Sequence, residues 1–322
     1  MTITQPLISI CIPTFNRKNE LRGALSIILS QISSDDNDYE IVVSDNASDD
    51  GTPFLIKEHF SQYKSIKYFR NKTNKGMDFN VLQCIKHAKG RYIFFLSDDD
   101  ILIKGALLNI KNLLIDNSPS CAFLNHYVYN IFTKKKGSNF KKVKHNLIFN
   151  DHNQFFSFLS IHSIWISGVI IKRSLINLKN LRKYFGSLAL HWYVFLNVAT
   201  NGNCLFISKL SAVSIHSNKK NRYNMINYRI KMNTILLDYY RRGVYDKYKT
   251  KNIKFAIFKQ IVKGILIYKA NKDPLLKPTI DKLKIQYSDY LPFWIILFPL
   301  YIIPNIFFVY IKRIKLFFAK LY

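Results

Sequence analysis

The chain has 322 residues, and 48% of them are hydrophobic, which is enough to form a large core without disulfides or metals. Its four cysteines are widely scattered and form neither a CxxC motif nor a paired framework, so we expect reduced thiols and a cytoplasmic setting. No charged segment followed by a short apolar core opens the sequence, and we therefore expect no secretory signal.

The net charge of +28 is unevenly distributed along the chain. Residues 1–100 contain 12 Lys and Arg against 13 Asp and Glu, whereas residues 101–322 contain 36 against 7. A nearly neutral front part followed by a strongly basic remainder predicts two tasks rather than one uniformly basic surface. Anionic lipid, a phosphorylated acceptor and nucleic acid would all suit the basic part on charge alone.

The front part alternates between apolar runs, typical of buried strands, and segments with helical periodicity. The runs lie at residues 7–13, 40–44, 66–70 and 91–97, and the helical patterns at about 17–32, 52–62 and 79–88. This alternation predicts an α/β fold with a doubly wound, mostly parallel sheet, whose ligands bind beyond the carboxyl ends of the strands. Because a polar motif follows each run, we expect four loops to meet at one crevice.

The rest of the chain gives a weaker pattern. We expect a helix at about 103–115, an aromatic-rich strand near 121–132 and a lysine-rich loop at 133–144. Further strands are expected around 165–172 and 204–208, followed by basic helices within 223–270.

Three adjacent carboxylates, Asp98, Asp99 and Asp100, follow the most apolar run. Their mutual repulsion is costly unless a cation or another partner neutralises them. Oxygen ligands of this kind suit Mg²⁺ or Mn²⁺, which would in turn bridge a diphosphate. A solvated turn, or a helix N-cap begun by Ser97, is the alternative explanation.

Two other loops carry candidate binding groups. Asp45, at the end of the second run, could accept hydrogen bonds from a base or ribose, or could simply cap a helix. The loop from Thr14 to Arg17 offers backbone amides and a hydroxyl to a nucleotide, but it lacks the glycine pattern of a phosphate-binding loop. Taken alone, Asn74-Lys75-Gly76 indicates only a glycine turn.

Together, the segments ISICIPTFNR, EIVVSDNASDDGT and NKGMDFNVLQCIKHAKGRYIFFLSDDD resemble the family-2 inverting glycosyltransferases, and WISGVIIKRSL resembles them more loosely. The specific part of the resemblance spans about residues 7–115. The combination of GMDFN with DDD is most similar to the abequosyltransferase-type branch, which transfers deoxyhexoses during surface-polysaccharide assembly. The resemblance implies a GT-A fold, a nucleotide-sugar donor, a saccharide acceptor and Mg²⁺ or Mn²⁺.

The resemblance also implies roles for individual residues. Asp45 would contact the base, Asp98 the ribose, and Asp98 and Asp100 the metal, with Asp99 as a catalytic carboxylate. The donor-binding residues would be Pro13, Thr14, Asn16, Arg17, Asp45, Asn46, Lys75, Gly76, Asp78 and Asp98. Residues 1–115 would then form the donor-binding half of the catalytic domain, 116–222 its acceptor-binding half, and 223–322 a basic helical region.

Inversion requires a general base that takes the proton from the acceptor hydroxyl. Many relatives carry a Glu-Asp pair some ninety residues beyond the metal motif, but the corresponding segment here, GSLALHWYVFLNVATNG, contains no carboxylate. His191 is the nearest titratable group and our candidate base, with a purely structural role beside Trp192 as the alternative. Asp151 is a remoter candidate.

Acceptors in this family are often lipid-linked diphosphate saccharides, so we expect the basic region to hold the enzyme on the cytoplasmic face of an anionic membrane. Residues 291–311 contain no charge and are long enough to span a bilayer. Their three prolines favour a kinked or in-plane element at least equally. A basic nucleic-acid-binding protein and a membrane scaffold without catalysis are the alternatives. We expect no nucleic acid, because the sequence has no recognised nucleic-acid-binding motif and an acidic crevice without a metal would repel a polyanion. A membrane scaffold would leave the ordered front loops unexplained.

Overall fold

A computed structural model describes residues 5–33, 35–179, 181–216, 225–271 and 273–302 of the chain. The chain divides into two compact units, Met1–Lys220 and Asn221–Tyr322.

The first unit begins with the predicted alternation of strands and helices. Its strands are β1 (Ile8–Thr14), β2 (Tyr39–Asp45), β3 (Ile66–Arg70), β4 (Tyr92–Phe95), β5 (Ile101–Leu102), β6 (Cys121–Asn130), β7 (Lys135–Asn139), β8 (Leu147–Phe149), β9 (Val169–Lys172) and β10 (Cys204–His216). Its α-helices are α1 (Lys18–Leu29), α2 (Thr52–Phe60), α3 (Met77–His87), α4 (Ala106–Asn117), α5 (His152–Leu159) and α6 (Leu190–Ala199).

All of these strands belong to one sheet, whose main path runs β3-β2-β1-β4-β9-β6-β10-β5. Strands β1 to β4 are parallel, so their carboxyl ends share one edge of the sheet. Strand β9 runs antiparallel between β4 and β6, while β6 and β10 are parallel to each other. The doubly wound parallel arrangement predicted for the front part is therefore confirmed, and β9 joins it to the second half.

Helices cover both faces of the parallel strands, because successive side chains of a strand point to opposite sides. On one face, Ile10 belongs to the same buried cluster as Leu25 of α1. On the other, the Cys11 thiol donates to the carbonyl of Cys84 in α3 at 3.7 Å. This two-sided burial explains why the front strands are continuous apolar runs rather than alternating ones.

Two predictions for the second half were wrong in detail. The expected lysine-rich loop contains β7, an exposed strand that pairs with β6, and its lysines hide the strand pattern. Charged residues are common on exposed edge strands because they discourage further pairing. Strand β10 extends well beyond the expected 204–208, since a register shift between Ile207 and Ala212 lets it continue along β6.

The described part of the second unit is helical, as the sequence predicts. It contains α7 (Met225–Arg241), α8 (Lys251–Ala270), α9 (Leu276–Gln286), a π-helical turn at Phe293–Leu297 and α10 (Phe298–Ile302). Buried residues such as Leu236, Ile257 and Leu283 form its core. Within the described ranges, no helix combines the length and apolarity that crossing a bilayer requires. The remainder of the predicted 291–311 segment lies outside the described residues.

Candidate active site

The carboxyl ends of β1 and β4 meet through Thr14 and Asp98. The Thr14 hydroxyl donates to Oδ2 of Asp98 at 2.8 Å, and both side chains are buried. These strands are neighbours in the parallel sheet, so the first loop and the carboxylate triplet lie at one edge. The structure thus brings together two motifs that are 84 residues apart in the sequence.

Arg17 is the cation of this site. Its Nη1 lies 2.9 Å from Oδ1 of Asp98 and 2.8 Å from Oδ2 of Asp99. The Ser97 hydroxyl donates to the other oxygen of Asp99 at 2.6 Å. Burial raises the pKa of Asp98 to about 6, although the Arg17 guanidinium opposes this shift. Of the two paired carboxylates, Asp99 is the more accessible, with 22% of its side chain exposed against 4% for Asp98.

Asp100 turns away from Arg17 and into the protein. Its Oδ2 accepts hydrogen bonds from the Trp165 indole at 2.9 Å and the Ser167 hydroxyl at 2.6 Å. Its Oδ1 accepts the backbone N–H of Ile215, in β10, at 2.9 Å. Burial raises the pKa of Asp100 to about 7, with Asp99 adding to the effect and the three donors opposing it.

The predicted pairing of Asp98 and Asp100 around a divalent cation does not fit this geometry. Asp98 faces Thr14 and Arg17, whereas every oxygen of Asp100 accepts from protein donors elsewhere. In the part of the chain that the structure describes, no three acidic, histidine or cysteine side chains form a metal-binding cluster. A cation bound by Asp98 and Asp99 would compete with the Arg17 guanidinium, which already contacts one oxygen of each carboxylate.

The first, second and third loops are joined by asparagines. Asn16 has a left-handed backbone, with φ of 52°, and its side chain accepts the backbone N–H of Asp49 at 2.9 Å. Asn46 accepts from the Asn71 amide and from the backbone of Lys75, at 2.9 and 3.1 Å. Pro13, at the end of β1, is half-buried, and Gly76 has a φ of 85° that favours glycine. These contacts connect the three loops to one another.

The Asp45 side chain, at the end of β2, is buried rather than exposed at these loops. The side chain is fully buried, and its oxygens accept the Ser48 hydroxyl and the Tyr68 hydroxyl, both at 2.5 Å. Arg70 adds an ion pair at 3.6 Å. The predicted contact between Asp45 and a base is therefore not supported in this conformation. Asp45 instead fixes the loop that follows β2.

Asp78 also has a structural position. Its two oxygens accept the backbone N–H groups of Leu188 and Leu190 at 2.9 and 3.0 Å. A carboxylate at this place accepts hydrogen bonds from amides at the start of α6, and its negative charge interacts favourably with the positive end of the helix dipole. Asp78 therefore links α3 to the start of α6, and its donor-site role stays a prediction. Lys75 is exposed and lies over the Phe79 ring.

Both predicted bases have structural partners within the protein. His191 is 2% exposed, and its Nε2 lies 2.7 Å from the carbonyl of Ile164, which only a ring N–H can satisfy. Burial lowers the pKa of His191, so the ring is held neutral inside α6. Asp151 caps α5 by accepting the backbone N–H of Asn153 at 2.8 Å. The structure favours the structural role for His191.

Trp165 and Ser167 are the site residues that sequence reasoning missed. They lie in and beside a 3₁₀ turn just before β9, and the Ser167 hydroxyl also accepts the backbone N–H of Ser97 at 2.8 Å. Gly168 follows them, and a Cβ there would come within 2.6 Å of the Phe123 ring. The loosely matching segment WISG was the only signal that could have indicated them.

Comparison with known proteins places this geometry in a family. The model of the family "Glycosyl transferase family 2" matches residues 9–178. Abequosyltransferase RfbV of Salmonella typhimurium is 41% identical over 109 residues, covering 34% of this chain and 32% of that protein. A GalNAc(5)-diNAcBac-PP-undecaprenol beta-1,3-glucosyltransferase of Campylobacter jejuni is 39% identical over 103 residues, 32% of each chain. The matched segments thus span about a third of these relatives.

Solved structures share the fold over most of the chain. Staphylococcus aureus TarS 1–349 in complex with UDP-GlcNAc superposes with a TM-score of 0.60 at 15% identity, covering 87% of this chain and 89% of TarS. Mannosyltransferase PcManGT from Pyrobaculum calidifontis, in complex with GDP-Man and Mn²⁺, has a TM-score of 0.50 at 17% identity, covering 91% and 79%. The predicted GT-A fold is confirmed. Since the family match covers more than half of the chain, the protein belongs to glycosyl transferase family 2.

Proposed function

We propose that this protein transfers a hexose or deoxyhexose from a nucleotide-sugar donor to a saccharide acceptor, with inversion, during assembly of a bacterial surface polysaccharide such as O-antigen. Family membership and the names of the relatives support sugar transfer. The UDP-GlcNAc complex of TarS supports a nucleotide-sugar donor.

The observation that carries the proposal is the cluster of Thr14, Arg17, Asp98 and Asp99 at the shared carboxyl edge of β1 and β4. Ligands of open α/β sheets bind beyond this edge. The cluster combines one guanidinium with two carboxylates, which can recognise a phosphate and hydroxyl groups, respectively. This is the chemistry that a nucleoside diphosphate sugar requires.

Within the proposal, each residue has a defined task. Asp98 and the more accessible Asp99 accept ribose hydroxyls with the lone pairs that Thr14, Ser97 and Arg17 leave available. Arg17, whose side chain is 36% exposed, stabilises the negative charge that develops on the departing diphosphate. The contact between Asn16 and the backbone of Asp49 holds the loops after β1 and β2 together beside the same edge.

In this proposal, no step of the reaction uses a metal ion bound by Asp98, Asp99 and Asp100. Asp100 is engaged by Trp165, Ser167 and Ile215, and Arg17 already compensates Asp98 and Asp99.

A donor-binding experiment tests the proposal. The thermal midpoint should be measured with UDP, GDP, CDP and dTDP, each with EDTA and with Mn²⁺. One nucleotide should stabilise the protein, by about 2.7 kcal/mol at a hundredfold excess over its dissociation constant. Asp99→Asn should reduce this gain, whereas Asp116→Asn, an exposed change on α4, should not. The absence of any nucleotide-dependent shift in the wild-type protein would reject the donor site.

Transfer itself should be assayed with the matching sugar nucleotide and diphospholipid-linked saccharide acceptors. The anomeric configuration of the product, determined by NMR, distinguishes inversion from retention. A product with the donor's configuration would contradict the inverting mechanism.

We further propose that the acceptor is lipid-linked and that the protein works at the cytoplasmic face of an anionic membrane. Two relatives are named for substrates linked to undecaprenol through a diphosphate. Residues 221–322 contain 20 Lys and Arg against 5 Asp and Glu. Leu291, Trp294 and Ile295 are 66, 40 and 63% exposed, which suits shallow insertion beside basic side chains.

Sedimentation with vesicles tests this placement. The protein should pellet with phosphatidylglycerol vesicles, less so at high salt, and not with phosphatidylcholine vesicles. Ile295→Glu should weaken pelleting, and deletion of residues 290–322 should move the protein to the supernatant. Equal binding to both lipids would contradict an electrostatic membrane surface.

A further inference from the structure

A ladder of four rings leads from the carboxylate triplet to the protein surface. It starts at Trp165, whose indole donates to Asp100. The ring centroid of His126 lies 3.8 Å from that of Trp165, Phe140 lies 5.2 Å from His126, and His162 lies 4.4 Å from Phe140. His126 is buried, Phe140 is half-buried and His162 is exposed. We call these four residues the aromatic ladder.

The ladder is built on rigid elements. His126 lies in β6, and its carbonyl accepts the backbone N–H of Phe140 at 2.7 Å. Asn125 holds the next residue, Lys141, by both its backbone groups, at 3.1 and 2.9 Å. His162 lies in the 3₁₀ turn Ser160–Ile164. Phe140 is therefore tied to β6 through its backbone, and His162 is held in a 3₁₀ turn.

A cation lies at the outer end of the ladder. The Lys141 ammonium is 5.2 Å from the ring centroid of Phe140 and 4.3 Å from that of Phe158. Residues 121–150 contain six lysines and no aspartate or glutamate. This surface therefore favours an anionic ligand that also offers an apolar face.

The exposed imidazole behaves as an aromatic surface. Partial shielding of the His162 ring from water, followed by the nearby Lys141 charge, lowers the pKa of His162, and burial lowers the pKa of His126 to about 4. A neutral ring does not compete with Lys141 for an anion. Its face can pack against the C–H groups of a pyranose, since ring faces carry partial negative charge.

We propose that the outer end of the aromatic ladder, formed by His162, Phe140 and Lys141, binds the acceptor: a pyranose packs on the rings and its attached phosphate pairs with the lysine. This assignment rests on the proposed glycosyl transfer, because it gives that reaction its acceptor subsite. It places the acceptor sugar beyond Trp165, on the β6 side of the triplet. A saccharide diphosphate is the ligand class that meets both demands.

The test uses two matched probes for each of four sugars: N-acetylglucosamine, N-acetylgalactosamine, galactose and rhamnose. Each sugar is titrated as its short-chain alkyl diphosphate and as its methyl glycoside, with binding followed by saturation-transfer NMR. At least one diphosphate probe should bind the wild-type protein. His162→Ala should weaken that binding about fivefold, and His162→Phe should restore it because the ring face is kept.

The charge is tested separately. Lys141→Gln should weaken binding of the diphosphate probe about fivefold and leave binding of the methyl glycoside unchanged. Lys135→Gln, an exposed change in β7 away from the ladder, is the matched control and should bind both probes as the wild type does.

Nucleotide binding distinguishes the two proposals. If a nucleotide stabilises both the wild type and His162→Ala while the diphosphate probe binds both equally, the ladder assignment is overturned and the transferase proposal stands. Failure of every diphosphate probe to bind a wild-type protein that does bind nucleotide overturns it as well. Failure of all nucleotides to bind overturns both.

Discussion

The Trp165 indole donates to Asp100 at 2.9 Å, so the third carboxylate of the triplet points into the protein. Ser167 and the backbone of Ile215 complete its contacts. A residue that looks like a ligand in the sequence thus ties the triplet loop to β10 and to the turn before β9. Its substitution should affect folding before it affects chemistry.

Asp100→Ala should lower the free energy of unfolding by about 3 kcal/mol at pH 5. At that pH the raised pKa keeps most of the folded Asp100 neutral, so alanine removes an acceptor without relieving a buried charge. Urea unfolding measures the change, and Asp116→Ala, exposed on α4, should be nearly neutral. Unchanged stability combined with lost transfer would return Asp100 to the ligand-binding groups.

The pH dependence of stability should report the same carboxyl group. The pKa of Asp100 is about 7 in the folded protein and about 3.9 when unfolded, so the folded state binds more protons between these values. Stability from this group is therefore present at low pH and is lost as the pH rises towards 7. In EDTA, the free energy of unfolding of Asp100→Asn, relative to wild type, should rise by about 3 kcal/mol between pH 4.5 and 8.

The change of that difference with pH is the readout, because asparagine also disturbs the hydrogen bonds and adds a constant offset. A difference that stays flat over this range would mean that Asp100 titrates normally. Asp116→Asn supplies the flat reference curve.

The front half of the fold was predictable because its signals are local. Each strand, such as β1 or β4, is a buried apolar run with a polar motif at its end, and parallel strands place those ends at one edge. That Thr14 and Asp98 share this edge follows from the rule, whereas their direct contact also requires β1 and β4 to be neighbours in the sheet.

The orientation of individual carboxylates was not predictable in the same way. Asp100 receives its donors from residues 65, 67 and 115 positions away, and no local pattern encodes those contacts. The same holds for Asp78, whose partners are more than 100 residues distant. Strand β7 was missed because its lysines face solvent on an exposed strand, where apolar periodicity is absent.

Asp78→Ala should destabilise the protein by about 2 to 3 kcal/mol, since it leaves the amides of Leu188 and Leu190 without their acceptor at the start of α6. Asp78→Asn retains one acceptor oxygen and should therefore lower the free energy of unfolding by less than Asp78→Ala does. Chemical unfolding provides the values, with Glu58→Ala on the exposed side of α2 as the control. If stability is retained and nucleotide binding alone weakens, Asp78 belongs to the donor site after all.

Arg17→Ala should make the nucleotide-free protein bind Mn²⁺ about tenfold more tightly. The guanidinium lies within 2.9 Å of both Asp98 and Asp99, so a divalent ion at this pair must compete with it. Removing Arg17 leaves two uncompensated carboxylates and no competing cation. Free Mn²⁺ can be followed by electron paramagnetic resonance during titration.

The Mn²⁺ affinity of Arg17→Lys should fall between those of the wild type and Arg17→Ala. An ammonium can contact one carboxylate but lacks the planar geometry that spans both. Arg22→Ala changes an exposed arginine in α1 and leaves the contacts of Arg17 with Asp98 and Asp99 in place. Its Mn²⁺ affinity should match that of the wild type. Weaker Mn²⁺ binding in Arg17→Ala would mean that the arginine arranges the carboxylates for a metal rather than occupying its place. The direction of this change therefore decides whether Arg17 and a divalent ion exclude each other at the donor diphosphate or act there together.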